Sequence, residues 1–300
     1  MAINRAQLAK ELEPGLNALF GLEYARYENE AAQIFDNESS DRAFEEEVML
    51  VGFGQANVKA EGAAVGFDTA SESFTARYTH ETIALAFALT EEAVEDNLYD
   101  TLSARYTKAL ARSMAYTKQV RGADVLNTAF ATTGGDGVTL ANTAHPTALG
   151  GTWSNRSATD ADINETSLEQ AMIDIAGFID ERGLKIAMQG NKLIIPVNIQ
   201  FVVDRVLNST LRVGTADNDI NALKNMGMLP GGYTVNHYLT DTDAWFVKTD
   251  CPNGLKHFTR AALATGMEGD FDTGNMRYKA RERYSFGYSD PRCVYASQGS

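Results

Sequence analysis

Residues 74–95 read FTARYTHETIALAFALTEEAVE, and this stretch decides the fold. Phe74, Ala76 and Tyr78 alternate with Thr75, Arg77 and Thr79; then Ile83, Leu85, Phe87 and Leu89 take the opposite parity. Side chains of a strand alternate faces, so the switch near His80 and Glu81 predicts a bulge or a change of buried face. Thr90 follows as a helix N-cap, with Glu91 and Glu92 where the helix dipole favours anions. From there to Arg121 neither Gly nor Pro occurs, and Val94, Leu98, Leu102, Tyr106, Leu110 and Met114 form an apolar stripe at helical spacing. A helix over that span is roughly 45 Å long, more than a small domain holds, so it must lie along something extended. Gly122 is its expected stop.

Upstream, Gly52, Gly54, Gly62 and Gly66 punctuate a β-rich run, the pattern of a long hairpin with a flexible tip. Before it, Leu8, Leu12, Leu16, Leu19 and Phe20 stand loosely at helical spacing ahead of a polar stretch from Glu28 to Asp41. That segment is either an arm packing on neighbouring subunits or a helix on the chain's own core. Downstream, Thr132-Thr133-Gly134-Gly135-Asp136-Gly137 opens a connection with little periodicity to about Asn164, a length that implies function or contact with a partner. Thr166 with Glu169 predicts a capping box, Leu168, Met172, Ile175 and Ile179 a buried face, and Gly183 the helix end. Lys192 to Ile195 reads as a short buried strand, and Pro196 opens a further helix through Val203, Val206 and Leu207. Near the C-terminus, Met276, Tyr278, Ala280, Tyr284, Phe286 and Tyr288 share one parity, broken only by Glu282. Arg277, Lys279, Arg281 and Arg283 share the other, so the segment is a long strand with one packed and one basic face.

The chain of 300 residues is 44% apolar and 22% charged, enough for a sizeable core in one large or two ordinary domains. A formal charge of −14 argues against a general nucleic-acid binder, though not against a protein that encloses nucleic acid. Cys251 and Cys293 are too few and too far apart for a disulfide framework or a zinc site and read as packed thiols. Glu11, Glu13 and Pro14 interrupt any signal peptide, and no apolar run spans a membrane, so a soluble product, intracellular at the point of synthesis, is expected.

Catalytic signatures fail one at a time. His80-Glu81 opens like a zinc-protease helix, but Ala84 stands where the second histidine belongs. Asp217-Asn218-Asp219-Ile220-Asn221 opens like a calcium loop, but Ala222 replaces the turn glycine and Met228 the closing carboxylate. Asp270 and Asp272 with Gly274 resemble a turn. The Gly134–Gly137 loop lacks a Lys-Ser/Thr ending and follows a helix, so it is no phosphate loop; no Gly-x-Ser-x-Gly elbow occurs, and His80, His145, His237 and His257 are scattered. No catalytic residue, cofactor or metal is expected. The basic face from Arg277 to Arg283 fits the acidic surface of a neighbouring subunit better than nucleic acid.

In that order, the polar arm, Gly-punctuated hairpin, very long helix, Gly-Asp-Gly loop, α/β segment and closing strand resemble the Hong Kong 97-type major capsid proteins of tailed phages. The local matches run from Lys59-Ala60-Glu61-Gly62 through Phe74–Leu89 into Thr90–Glu95; Leu126 to Gly137, Thr143-Ala144-His145-Pro146, Leu193 to Pro196 and Arg283 to Val294 extend them. The resemblance implies an α+β capsid fold. It divides into an N-terminal arm (1–42), an extended loop, the E-loop, with flanking strands (43–89), and a spine helix with the peripheral-domain loop (90–165). An axial domain (166–262) and closing strands of the peripheral domain (263–300) complete it. It implies a shell subunit forming hexamers and pentamers around double-stranded DNA without sequence-specific binding, resident in the virion and assembled in the host cytoplasm. Partners would be a separate scaffolding protein, a portal and decoration proteins, with no membrane. Lys59, Glu61, Arg77, Arg277, Lys279, Arg281 and Arg283 are the expected intersubunit contacts. An encapsulin-type nanocompartment shell, which shares the fold, is the alternative.

Overall fold

The two-phase pattern of residues 74–89 resolves into two strands that belong to different sheets. Strand β3 (Ser71–Thr79) pairs antiparallel with β2 (Phe44–Val51), whereas β4 (Glu81–Leu89) pairs antiparallel with β11 (Met276–Tyr288). His80 is buried at the break, its ring nitrogens 3.0 Å from the hydroxyls of Ser285 and Ser40. The computed structural model describes residues 5–90, 92, 99–212, 219–270 and 274–300.

One four-stranded sheet runs β1 (Asp36–Ser39), β10 (Leu255–Gly269), β11, β4, with β1 parallel to β10 and the other pairs antiparallel. Helices α1 (Arg5–Tyr24) and α3 (Tyr99–Asn127) cover one face of it, burying Leu16, Phe20, Leu110 and Met114 against Tyr278 and Ala280. The N-terminal segment therefore docks on its own chain, through α1, through the short α2 (Glu30–Ile34) and through β1. A second sheet, in the order β12 (Val294–Ser297), β9 (Trp245–Thr249), β7 (Gly190–Pro196), β8 (Tyr233–Asn236), packs Leu193, Ile195, Trp245 and Phe246 with Leu168 and Ile175 of α4 (Glu165–Ala176). Strand β10 extends past residue 262, with shifts of register against β11 between Thr259 and Ala264, and β12 closes the second sheet.

Three helix ends differ from expectation. Gly122 does not stop the long helix, which continues to Asn127. A Cβ there would come within 2.9 Å of the Ala31 side chain, so the missing side chain lets α2 cross closely. The expected start of this helix, with Val94 and Leu98, lies outside the described residues. The capping box of α4 sits earlier than Thr166: the Asn164 side chain accepts from Ser167 N at 2.9 Å and Ser167 Oγ accepts from Asn164 N at 2.9 Å. This helix ends at Ala176, with Gly177 as its C-cap, so Ile179 lies past it; Gly183 instead turns a tight loop, at φ +82. Asn221, from the calcium-like stretch, caps a short helix (Ala222–Met226) by accepting from Lys224 N at 3.2 Å; residues 213–218 and Asp272 lie outside the described residues.

Glu282, the polar residue on the packed face of β11, is buried. Lys118 of α3 sits 3.5 Å from its carboxylate and Tyr24 of α1 donates to it at 3.5 Å, so one carboxylate ties both helices to the sheet. Burial holds the Glu282 carboxyl above the usual carboxylate range, with Lys118 partly offsetting the rise. Removing one partner strands a charge, whereas removing both leaves apolar packing. The single variant Glu282→Leu should lose about 3 kcal/mol in chemical denaturation, while Lys118→Met/Glu282→Leu should match or exceed wild type. A double variant less stable than wild type would show the pair to be net stabilising.

Candidate intersubunit surface

Strand β2, Phe44-Glu45-Glu46-Glu47-Val48-Met49-Leu50-Val51, is inside out. Alternation puts Phe44, Glu46, Val48 and Leu50 toward solvent, and Glu45, Glu47 and Met49 toward the body of the protein. The inward carboxylates are met by donors. Ser40 Oγ donates to Glu45 at 2.6 Å, and Glu47 accepts from both Lys256 and Ser289. Lys256, buried on β10, also reaches Glu38 at 3.0 Å. Burial alone would depress its ammonium, but the carboxylates of Glu47 and Glu38 outweigh that and hold it above the usual lysine range. Tyr78 shares a hydrogen bond with Ser289 at 2.5 Å, and burial pushes that phenol far up.

Strand β3 sits on a glycine bed. A Cβ at Gly135 would lie 2.6 Å from the Thr75 carbonyl oxygen, and one at Gly287 2.7 Å from the Tyr78 ring. The Gly-Gly-Asp-Gly loop therefore makes room for the hairpin. Asp136 is turned inward onto His145 at 2.6 Å, and the other nitrogen of that ring is 3.0 Å from Asn155 Oδ1. Arg292 completes the seat: it donates to Glu181 at 2.8 Å, contacts Met49 Sδ at 3.7 Å and lies 4.6 Å above Trp153.

Beyond this seat, residues 52–70 form no helix or strand, only a turn at Glu61-Gly62 with Gly62 at φ +77. Val58 and Phe67 are fully exposed, at 101% and 99%, and Phe53, Val65 and Leu50 are exposed with them. A rigidly seated hairpin that offers this much apolar surface to water is shaped for a partner.

The expected contact residues fall in three places. Lys59 and Glu61 flank the loop turn and are exposed. Arg77 lies on the outward hairpin face, 4.0 Å over the Phe44 ring and 3.6 Å from Glu46. Arg277, Lys279 and Arg281 are exposed on one face of β11, with Arg283 half-buried in line. Arg277 pairs with Asp270; Lys279 and Arg281 have Ala86, Gly266, Ala84 and Ala264 as cross-strand neighbours. The structure does not bring the three groups together in one chain. Sequence reading missed the apolar set Phe44, Val48, Leu50, Phe53, Val58, Val65 and Phe67; the consecutive glutamates Glu45, Glu46 and Glu47 give no alternation that would mark it. Among the described residues, no group of three or more His, Cys, Asp or Glu side chains could hold a metal, both cysteines are free and buried, and no helix is long and apolar enough to cross a membrane. Gly135→Ala should cost about 1–3 kcal/mol through overpacking, read as a lower urea midpoint. An unchanged midpoint would mean that β3 moves off its bed freely.

The comparisons with known proteins agree with this architecture. No curated protein matches the chain in sequence. Among solved structures, the virus-like particle from Pyrococcus furiosus aligns over 95% of this chain and 98% of its own, with TM-score 0.57 and 10% identity. A chain of Mycobacterium phage Che8 aligns over 90% and 92%, with TM-score 0.54 and 16% identity. The capsid of Myoviridae phage XM1 aligns over 89% of each chain, with TM-score 0.53 and 11% identity. At such identities the likeness establishes the shared α+β fold of Hong Kong 97-type capsid subunits. The sequence model of a family described as phage capsid protein matches residues 73–297, most of the chain, from the hairpin's second strand to the last strand of the second sheet. The chain belongs to the phage capsid protein family.

Proposed function

We propose that this chain is the major head-shell protein of a tailed phage, joining copies of itself into the hexamers and pentamers of an icosahedral shell around double-stranded DNA. The observation that carries the reading is strand β2 with its loop: Glu45 and Glu47 are pinned to the body, and Phe44, Val48, Leu50 and the apolar side chains of the loop are left for a neighbour. A closed shell needs heterologous contacts, in which a projection of one copy meets a different surface of the next. Lys59 and Glu61 at the loop turn, Arg77 on the hairpin, and Arg277, Lys279, Arg281 and Arg283 on the basic strand face are the proposed polar contacts; their charges set register more than affinity. A separate scaffolding protein, a portal and decoration proteins are further partners of this reading, which contains no catalytic step. The net charge of −14 suits a wall that encloses DNA without gripping it. Assembly takes place in the host cytoplasm, and the product resides in the virion.

Negative-stain microscopy and gel filtration of the expressed protein, alone and with a co-expressed scaffold, test the proposal. Closed shells or ring-like capsomers are expected. A subunit that stays monomeric at high concentration in both settings would overturn it, and shells that hold protein cargo would transfer it to a nanocompartment. Val58→Ser/Phe67→Ser should cut the yield of closed shells about ten-fold while shifting the subunit's own stability by no more than about 0.5 kcal/mol, because both side chains face open solvent.

A further inference from the structure

The two strands of the hairpin stop pairing at Val51 and Ser71, and one side chain from elsewhere spans the gap. Arg182 Nε donates to the Gly52 carbonyl at 3.1 Å, Nη2 donates to the Thr69 carbonyl, and Nη1 stands 3.5 Å from Asp68 Oδ1. Asp68 closes the arrangement from the loop side: Oδ2 accepts from Gly54 N at 2.7 Å and Oδ1 from Thr69 N at 2.8 Å. The guanidinium thus acts as a rung between the outgoing and returning chains at the point where the ladder ends.

Arg182 is itself held. It sits on the tight turn after α4, where Asp180 Oδ1 accepts from Arg182 N and Leu184 N, each at 2.8 Å, and Gly183 takes φ +82. The adjacent Glu181 is buried; it accepts from Arg292 at 2.8 Å and from Ala148 N at 2.9 Å. The turn follows the helix that packs on the second sheet, not the sheet that continues from the hairpin. The root of the loop is therefore referenced to the second layer of the protein, and Val58, Val65 and Phe67 hang beyond that point.

We propose that Arg182 is a positioning residue: by clamping Gly52, Asp68 and Thr69 it fixes the direction in which residues 52–70 leave the subunit, and so where their apolar side chains land on the next copy. This rests on the reading that the loop meets a neighbour. A guanidinium fork suits the task, since its donors lie in one rigid plane and can address two carbonyls and a carboxylate together, whereas a lysine ammonium is a single point.

The test uses the full chain as wild type, Arg182→Ala, Arg182→Lys and Asp68→Ala, with hydrogen exchange read by mass spectrometry and assembly read by microscopy. In Arg182→Ala, peptides covering 52–56 and 67–70 should exchange about ten-fold faster or more, with strands β2 and β3 unchanged. Arg182→Lys should behave like Arg182→Ala, and Asp68→Ala, an exposed site that does not threaten folding, should accelerate the same peptides at least as much, because the Gly54 and Thr69 amides donate to its carboxylate. The same variants should yield open or irregular assemblies in place of uniform shells. Unchanged exchange in both Arg182→Ala and Asp68→Ala would overturn the clamp, and faster exchange with uniform shells would overturn its role in assembly. Should wild type itself form no shells, the proposed function fails, and the exchange measurement still decides whether Arg182 holds the loop.

Discussion

Lys256 reaching Glu47 beneath the hairpin is the contact on which the rest of the structure turns. A carboxylate on the inner side of β2 would be costly unless met by a cation and further donors. Lys256 of β10 and Ser289, the residue just past β11, supply these. Once Glu47 faces inward, alternation leaves no freedom: Phe44, Val48 and Leu50 must face outward. The polarity of one strand is thus set by a buried charge, and the apolar surface offered to a partner is its geometric consequence.

The two layers play different parts. The second sheet with its helix is a conventional apolar core built on Leu193, Ile195, Trp245 and Leu168. The helices cover one face of the first sheet, where a polar tie, Glu282 to Lys118 and Tyr24, joins both of them to it; the other face holds the hairpin at one end, Tyr78 against Phe258 and Gly287, and carries the cations of β11 along the rest. Glycines mediate between these parts: Gly122 lets α2 cross the long helix, and Gly135 lets β3 lie against the loop.

Much of the fold was legible because periodicity is a local property. The change of parity at His80 located a change of sheet, and the alternation from Met276 to Tyr288 gave both faces of the last long strand, including the anomaly at Glu282. Gly122 and the start of α4 were misread for a shared reason. A glycine within a helix looks like a stop unless the crossing neighbour is known, and Thr166 and Asn164 are both competent caps that only tertiary packing separates. The candidate surface was harder to read. In β2 the run Glu45-Glu46-Glu47 puts acids on both faces, so the pattern does not say which face meets water, and the usual presumption that acids face outward holds for Glu46 but fails for Glu45 and Glu47. Arg182 and Arg292 carry no local signature of this role, since their partners in the hairpin and its loop lie more than a hundred residues away in the chain.

The hairpin, with the outward apolar row of β2, also bears on the subunit before it finds its neighbours. It is a two-stranded ribbon whose outer edges are unpaired among the described residues, carrying apolar side chains in a row; such a ribbon can template the wrong pairing. Glu46 and Arg77 face each other across that outward surface, 3.6 Å apart, midway between Phe44 and Val48. They interrupt the apolar row with an ion pair that any misregistered strand would have to bury or break. In a neighbour of matching shape the same pair can stay at the rim, half-solvated. A surface meant for association thus carries its own gatekeeper, which favours waiting over aggregation in the interval between synthesis and capture.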